Sequence, residues 1–99
     1  MAVTGVVIGV PYPNPVKGDG PVSLQLRVPT GSTIQWSVFT TAFRKIVDVS
    51  NPVLGNSLAL VWNLDDNWGK PVASGLYYLR VQVTGPVKDA KVLKILVIR

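Results

Sequence analysis

Alternation of apolar and polar residues with a period of two runs through most of this chain. Residues 22–28 show it without a break, because Val22, Leu24, Leu26 and Val28 face one way while polar side chains face the other. This is the pattern of a half-buried antiparallel strand. Clusters of Gly, Pro, Asn and Asp bound six further segments of strand-forming composition. These segments are residues 3–10, 33–40, 42–49, 57–64, 77–84 and 91–98.

Two of these segments, and the Pro-rich stretch after residue 10, carry details that bear on the fold. Residues 57–64 are apolar on both faces, which predicts a central strand that is covered on both sides. Residues 42–49 fit a strand that follows a bulge or bend, and they also fit a single helical turn. The prolines in residues 11–15 lack the N–H that a ladder needs, so this segment should leave the sheet in an extended form. Residues 50–56 and 85–90 are predicted as loops.

No segment shows the i, i+3, i+4 recurrence of an amphipathic helix. About seven short strands separated by turns are typical of an immunoglobulin-like antiparallel β-sandwich, which is an all-β fold. Trp36, Leu60 and Trp62 should lie among its interior side chains. We expect one domain over residues 1–99, in which residues 1–10 form an N-terminal strand able to detach, because a Pro-rich hinge follows it.

The composition argues against catalysis. The chain has no Cys, no His and no Glu, and its five acidic residues are all Asp. Disulfides and thiolate sites are therefore excluded, and the commonest general base and transition-metal ligand is missing. Asp65 and Asp66 are adjacent turn residues whose side chains should point apart, and Ser74 has no His partner. We expect no enzyme and no cofactor.

The net charge of +5 comes from ten cations that are scattered along the chain, and only Lys88, Lys91 and Lys94 lie close together. A nucleic-acid surface would cluster its cations with aromatic residues, so no nucleic-acid partner is expected. No apolar run reaches the length that a bilayer requires, so no membrane insertion is expected. No signal-peptide pattern follows Met1, which fits either an intracellular protein or a module of a longer exported chain.

The polar turn after residue 62 offers a weak candidate for a calcium site. Asn63, Asp65 and Asn67 place oxygen ligands at alternating positions, as a calcium loop does. However, Trp68 stands where such a loop needs Gly, so an Asx-type turn is the favoured interpretation.

Three aromatic residues are candidates for contact with a partner. Trp68 should lie at the tip of the turn, while Phe39 and Tyr78 fall on the outward faces of their strands. An exposed group of such residues would mark a docking surface.

Several motifs together resemble a known family. They are Tyr12-Pro13-Asn14-Pro15, the strand that follows it, Trp62 with Asp65-Asp66, the segment from Gly69 to Tyr78, and the last strand up to Arg99. Over residues 10–99 the chain resembles the immunoglobulin-like domain named after the flagellar hook-capping protein. It is also similar to the C-terminal modules of secreted bacterial proteins, including the sorting domains of the type IX secretion system.

The resemblance implies a non-catalytic structural or docking module, extracellular or on the cell surface, at the C-terminal end of a larger exported bacterial protein. Such a module would serve sorting, anchoring or assembly. Its partners would be proteins: domains of the parent chain, secretion or surface machinery, or other copies of itself as a homo-oligomer. Two alternatives stay open. One is a subunit of a self-assembling extracellular fibre or tube, and the other is a carbohydrate-binding module that uses Trp68 and Tyr78.

Overall fold

Two β-sheets packed face to face make up the computed structural model, which describes residues 5–18, 20–53 and 55–99. The three-stranded sheet has the order β1-β3-β6, and the five-stranded sheet has the order β2-β8-β7-β4-β5. The strands are β1 (Val7–Ile8), β2 (Val16–Lys17), β3 (Val22–Arg27), β4 (Thr33–Thr40), β5 (Lys45–Pro52), β6 (Ser57–Trp62), β7 (Gly75–Thr84) and β8 (Asp89–Ile98). Among the described residues there is no helix of the length and apolarity that a membrane span requires.

The predicted β-sandwich is confirmed, with one strand more than expected and one exception to antiparallel pairing. The additional strand is the short β2, which runs parallel to β8 with Val16 opposite Val97. All other ladders are antiparallel. The division of strands follows the immunoglobulin type, in which two sheets share one core.

Period-two alternation in the long strands turns one apolar face of each sheet toward the other. Leu24 and Leu26 of β3, Trp36 of β4 and Leu79 of β7 are buried there. As predicted, Leu60 and Trp62 of β6 also lie inside. The other buried apolar side chains are Val16, Val22, Val28, Ile34, Val38, Val47, Val53, Leu64, Val72, Tyr77, Val81, Val83, Ile95 and Val97.

An aromatic pair joins the two sheets where the chain passes from β6 to β7. The rings of Trp62 and Tyr77 meet edge to face, with 5.6 Å between their centroids. The indole Nε1 donates to the carbonyl of Asp65 (2.9 Å), and the Tyr77 hydroxyl donates to the carbonyl of Ala73 (2.7 Å). A Tyr at the start of this strand whose hydroxyl binds upstream backbone is a hallmark of immunoglobulin-like sandwiches. A corner therefore precedes Tyr77, and Gly75 holds a positive φ of 156° in it.

The prediction of a central, covered strand over residues 57–64 is wrong. Strand β6 lies at the edge of the three-stranded sheet, and its outward residues Ala59 and Val61 face solvent, with Val61 45% exposed. The prediction failed because apolar residues occupy the solvent-facing positions of β6, so that both of its faces look apolar in the sequence. Leu64 is buried not as part of the strand but because its positive φ of 62° turns the chain back toward the core.

The boundaries of the middle strands also differ from the predicted ones. Residues 42–49 contain no helical turn: β5 runs from Lys45 to Pro52, after a register shift between Val38 and Phe39. Strand β5 therefore takes up the first part of the predicted loop 50–56, whose Leu54 lies outside the described residues. Strand β8 begins at Asp89, which shortens the predicted loop 85–90.

The N-terminal segment connects the two sheets. Strand β1 pairs with β3 of the same chain, while residues 1–4 of the proposed detachable strand lie outside the described residues, so detachment stays a prediction. The Pro-rich segment then leaves this sheet, as predicted, and reaches the edge of β8. There Asn14 donates to the carbonyl of Lys94 (2.8 Å) and accepts from the N–H of Leu96 (3.0 Å). The Asn14 side chain thus pairs with β8 as a neighbouring strand would.

Replacing Leu60 with Ala should lower the free energy of unfolding by about 2–5 kcal/mol, because Leu60 is 3% exposed and its loss leaves a cavity between the sheets. Urea unfolding of the variant measures this loss. Leu96→Ala is the matched control, since Leu96 is 39% exposed on the outer face and should cost well under half as much. Equal losses in the two variants would contradict the described core.

Tyr77→Phe keeps the ring against Trp62 and removes only the hydroxyl. We expect a loss of about 0.5–1.5 kcal/mol in the free energy of unfolding, since the carbonyl of Ala73 loses its donor. The control is Tyr78→Phe, whose side chain lies on the half-exposed outer face and whose change should stay within about 0.5 kcal/mol. A Tyr77→Phe variant as stable as the control would show that the hydroxyl does not hold the corner.

Candidate docking surface

A group of aromatic side chains lies on the outer face of the five-stranded sheet. Phe39 of β4 stands directly opposite Tyr78 of β7, as their outward positions in the sequence predicted. The ring of Phe43, in the β4–β5 turn, stacks on Tyr78 with 5.9 Å between centroids and 9° between planes. We call Phe39, Phe43 and Tyr78, with the neighbouring Arg80 and Val92, the aromatic surface.

Phe43 was missed as a site residue because its apolar character was assigned to a strand. The structure places it in a turn, where its N–H donates to the carbonyl of Thr40 and its φ is 62°. A bulky residue with positive φ is uncommon, because its Cβ crowds the backbone. Phe43 is nevertheless 76% exposed, so burial of its ring does not offset this strain. The turn residues Thr40-Thr41 were the one signal in the sequence that could have placed Phe43 outside the strand.

The aromatic surface borders a shallow groove with a volume of about 370 Å³, lined by its five residues. Cations lie around it. Lys94 is paired with Tyr78 across β7 and β8, and the Lys45 ammonium lies 5.8 Å from the centroid of the Phe39 ring. Arg80 itself is exposed. The surface therefore offers flat apolar rings inside a positively charged border, which suits a partner with apolar and acidic side chains.

One acidic side chain compensates part of this charge. The Asp48 carboxylate accepts from Gln35 Nε2 (3.2 Å) and Ser37 Oγ (3.1 Å), and it lies 3.6 Å from the Lys45 ammonium. These hydrogen bonds, that from Gln35 first, hold the pKa of Asp48 below its ordinary value of 3.8. Asp48 is therefore an ionised support for the sheet and not a proton donor at neutral pH. The pKa of Tyr77, by contrast, is raised by burial.

Trp68 does not line the groove beside the aromatic surface. It stands in the turn between β6 and β7 and is 72% exposed, as predicted. The Asp66 carboxylate shapes this turn by accepting from the N–H groups of Trp68 and Lys70, each at 2.9 Å. Gly69 holds the positive φ of 77° that the turn requires. Two of the three predicted contact residues, Phe39 and Tyr78, are thus brought together, while Trp68 stands in the β6–β7 turn and does not line the same groove.

The turn uses its side-chain oxygens within the protein. Asp66 binds the backbone as an Asx turn does, and Asn67 Oδ1 accepts from the N–H of Asp48 at 3.3 Å. The carbonyl of Asp65 accepts from Trp62. In the part of the chain that the structure describes, no group of three or more His, Cys, Asp or Glu side chains could hold a metal ion. A calcium site at Asn63, Asp65 and Asn67 stays a weak prediction.

Comparison with solved structures finds folds similar to this chain within much larger proteins. A structure of dimeric latent PorU from Porphyromonas gingivalis matches 97% of this chain with a TM-score of 0.76 at 18% identity. PorZ of the same organism, a bacterial surface component of its type IX secretion system, matches 96% at 28% identity with a TM-score of 0.52. This chain is similar to one domain-sized part of each protein.

The similarity to PorU and PorZ is limited to a small part of each of those proteins. The chain spans 10% of the PorU structure and 12% of the PorZ structure. At 18% identity the PorU match concerns the fold alone. No family model and no curated protein sequence matches the chain, so the resemblance to the hook-capping family stays an interpretation of its motifs.

Removing the amide donor of Gln35 should bring the pKa of Asp48 back toward 3.8, because that hydrogen bond is the largest cause of the lowering. A carboxyl-carbon NMR titration of Gln35→Ala measures it. Gln82→Ala is the matched control, since Gln82 lies opposite Gln35 on the same face and should leave the titration unchanged. An unchanged titration of Asp48 in Gln35→Ala would contradict the described network.

The lowered pKa of Asp48 also determines how the stability of the protein changes with pH. Because the pKa of Asp48 is lower in the folded state, its contribution to stability is present above the unfolded value near 3.8 and is lost as pH falls through the folded pKa. The stability difference between the unmodified protein and Asp48→Asn should therefore shrink in acid.

Proposed function

We propose that this chain is a non-catalytic docking module, the C-terminal domain of a larger exported or cell-surface bacterial protein, used for sorting, anchoring or assembly. The observation that carries the proposal is the pattern of coverage. The match includes nearly all of this chain but only about a tenth of PorU and PorZ, and PorZ is a surface component of a secretion system. A fold that recurs as a small part of larger proteins supports a modular role, and the similarity to PorZ supports a link to export.

The chemistry of the chain supports a role without catalysis. It lacks His, Cys and Glu, so activated nucleophiles and general bases would have to come from Asp, Lys or Tyr. Asp48 is held ionised by hydrogen bonds, and the Tyr77 hydroxyl is engaged with the backbone. These groups support the fold, and we assign them no catalytic role.

The aromatic surface is the part of the module that we propose contacts a protein partner. The positive φ of Phe43 belongs to the turn that closes the β4–β5 hairpin, in which the backbone of Thr40 accepts from Phe43 and donates to Arg44. The turn holds the Phe43 ring in solvent, 76% exposed, where it contributes little to the core and is free to contact a partner. The border of Lys45, Arg80 and Lys94 favours a partner surface with acidic residues. In the type IX setting, the partner is a component of the secretion or surface machinery, or another domain of the parent protein.

The structure gives the carbohydrate-binding alternative less support. A sugar platform needs free aromatic faces, and one face of Tyr78 is covered by Phe43. Trp68 is also not among the residues that line the groove beside Tyr78. The alternative stays a prediction that a glycan array tests, with Trp68→Ala as the informative variant.

Export is tested by fusing this chain to the C-terminus of a reporter that carries a standard secretion leader, in a bacterium with an active type IX system. We expect the reporter outside the cell or on its surface. The controls are the reporter without the domain and the fusion in a strain whose type IX system is inactivated, and both should stay in the periplasm. Periplasmic retention of the intact fusion in the active strain would refute the proposed role.

The docking surface is tested in the same fusion. Phe43→Ser with Tyr78→Ser should lower the exported fraction at least about tenfold, since aromatic anchors commonly contribute 2 kcal/mol or more to binding. Val10→Ser, which changes an exposed apolar residue off the aromatic surface, is the matched control and should export normally. Melting of the purified domains shows that each variant is folded. Normal export of the double variant would show that the module does not dock through the aromatic surface.

A further inference from the structure

In the described part of the chain, no strand pairs with the outer edge of β6. The hydrogen bonds made by β3 show which backbone groups of β6 point outward at this edge. Ser23 exchanges hydrogen bonds with Tyr12, and Gly9 donates to Gln25, so the odd-numbered residues of β3 face β1. The N–H of Val28 donates to the carbonyl of Asn56, so the even-numbered residues face β6. In an antiparallel ladder this alternation leaves the N–H and C=O groups of Ser57, Ala59 and Val61 pointing away from β3.

The other long edges of the sandwich are at least partly closed. At the β5 edge, the N–H of Asn67 donates to the carbonyl of Ile46, and the Asn67 side chain accepts from Asp48. At the β8 edge, β2 and the Asn14 side chain occupy the last part of the strand, and charged residues stand in the remainder. Strand β6 carries no charge and no Pro, and within the described residues no strand lies beyond it. Edges left in this state are ready to pair with another strand.

We infer that this edge pairs with the same edge of a second copy of the domain, antiparallel about a twofold axis at Ala59. In this register Ala59 meets Ala59 of the partner subunit, and Ser57 meets Val61 of the partner subunit. All three residues with outward backbone groups then form hydrogen-bonded pairs, six bonds in total, which follows from the two-bond exchange of each such pair. The two three-stranded sheets become one sheet of six strands.

The side chains on both faces fit this register. On the inner face, the half-buried Leu58 meets Leu60 of the partner subunit, which extends a row that begins with Leu26. On the outer face, Gln25 and Ala59 continue into Ala59 and Gln25 of the partner subunit. Cross-strand apolar pairs of this kind stabilise a sheet.

Charge favours a second copy at this edge. Arg27 is the one charged residue in strands β1, β3 and β6, although the chain carries a net charge of +5. In the proposed register Arg27 shares its row with Ser57 and with Val61 of the partner subunit, so no like charges stand opposite each other. Two copies can therefore approach through this sheet while the cations of the five-stranded sheet stay on the outside. The outer groove beside the edge, with a volume of about 430 Å³, is lined partly by Gly9, Ser57 and Ala59, whose small side chains do not obstruct pairing.

The register is tested by crosslinking, which the absence of Cys from the chain makes simple. Ala59→Cys should form a disulfide-linked dimer under mild oxidation, because paired residues in this position have Cα atoms about 5.5 Å apart, within the range of a disulfide. Ser57→Cys and Val61→Cys should each crosslink poorly alone, since like positions lie about 13 Å apart along the strands, and should crosslink when mixed. Gln25→Cys is the control for random collision. Crosslinking of Ser57→Cys alone as fast as Ala59→Cys would overturn the register.

The interaction itself is tested by sedimentation equilibrium of the purified domain. An interface this small should give a weak dimer, populated between about 10 µM and 1 mM. Ala59→Pro removes an N–H that has no role within the chain's own ladder, and Ala59→Lys places two ammonium groups together at the axis. Each should weaken dimerisation at least tenfold, about 1.4 kcal/mol. Gln25→Lys, with the same added charge on the same face but away from the edge, should change it by less than about threefold.

Two results would overturn the inference. One is a monomer up to about 1 mM together with Ala59→Cys crosslinking no faster than Gln25→Cys. The other is a dimer that Ala59→Lys and Ala59→Pro leave unchanged, which would place the contact elsewhere, for instance at the aromatic surface. Circular dichroism and melting establish that the variants are folded. Because these measurements use the isolated domain, they stand apart from the export experiment, and either proposal can fail alone.

Discussion

The contact between Trp62 and Tyr77 is the constraint on which the sandwich depends. Strands β6 and β7 belong to different sheets, so the chain between them must cross the end of the core. The edge-to-face pair fixes the distance between the sheets, and the hydrogen bonds to Asp65 and Ala73 fix the two ends of the crossing. At the same corner the guanidinium of Arg99 donates to the carbonyl of Leu64, so the last residue is tied to the connection as well. Once this corner holds the two sheets face to face, each alternating strand buries its apolar face between them.

The two outer faces of the sandwich have opposite characters. The five-stranded sheet presents aromatic rings and cations, including a Phe43 that holds an unfavourable backbone conformation without being buried. The strands of the three-stranded sheet carry a single charged residue, and in the described part of the chain no strand covers the edge of β6. The surface that we propose for a different, acidic partner and the edge that we infer for a second copy therefore lie on different sheets and share no residue.

How far the sequence could be interpreted depended on the kind of signal. Strict alternation in residues 22–28 and around Tyr77 predicted the strands, their faces and the core correctly, because the residues of a half-buried strand alternate between apolar and polar. Residues 57–64 misled, since apolar side chains on a solvent face look the same as those of a covered strand. Phe39 and Tyr78 were assigned to outward strand faces, but Phe43 was not identified as a contact residue, because its position depends on a turn that the pattern left ambiguous. Asn14 acts through a contact 80 residues away, which no local pattern contains.

The parallel pairing of β2 with β8 has a mechanical consequence. Strand β2 lies near the beginning of the described chain and β8 lies at its end, so stretching the protein by its ends pulls these two strands past each other along their length. The bonds between them, with those of Asn14 and the bond from Gly18 to Ile98, are then loaded together in shear and cannot open one at a time. A pull applied along these two strands therefore has to break all of these bonds together before the core can open.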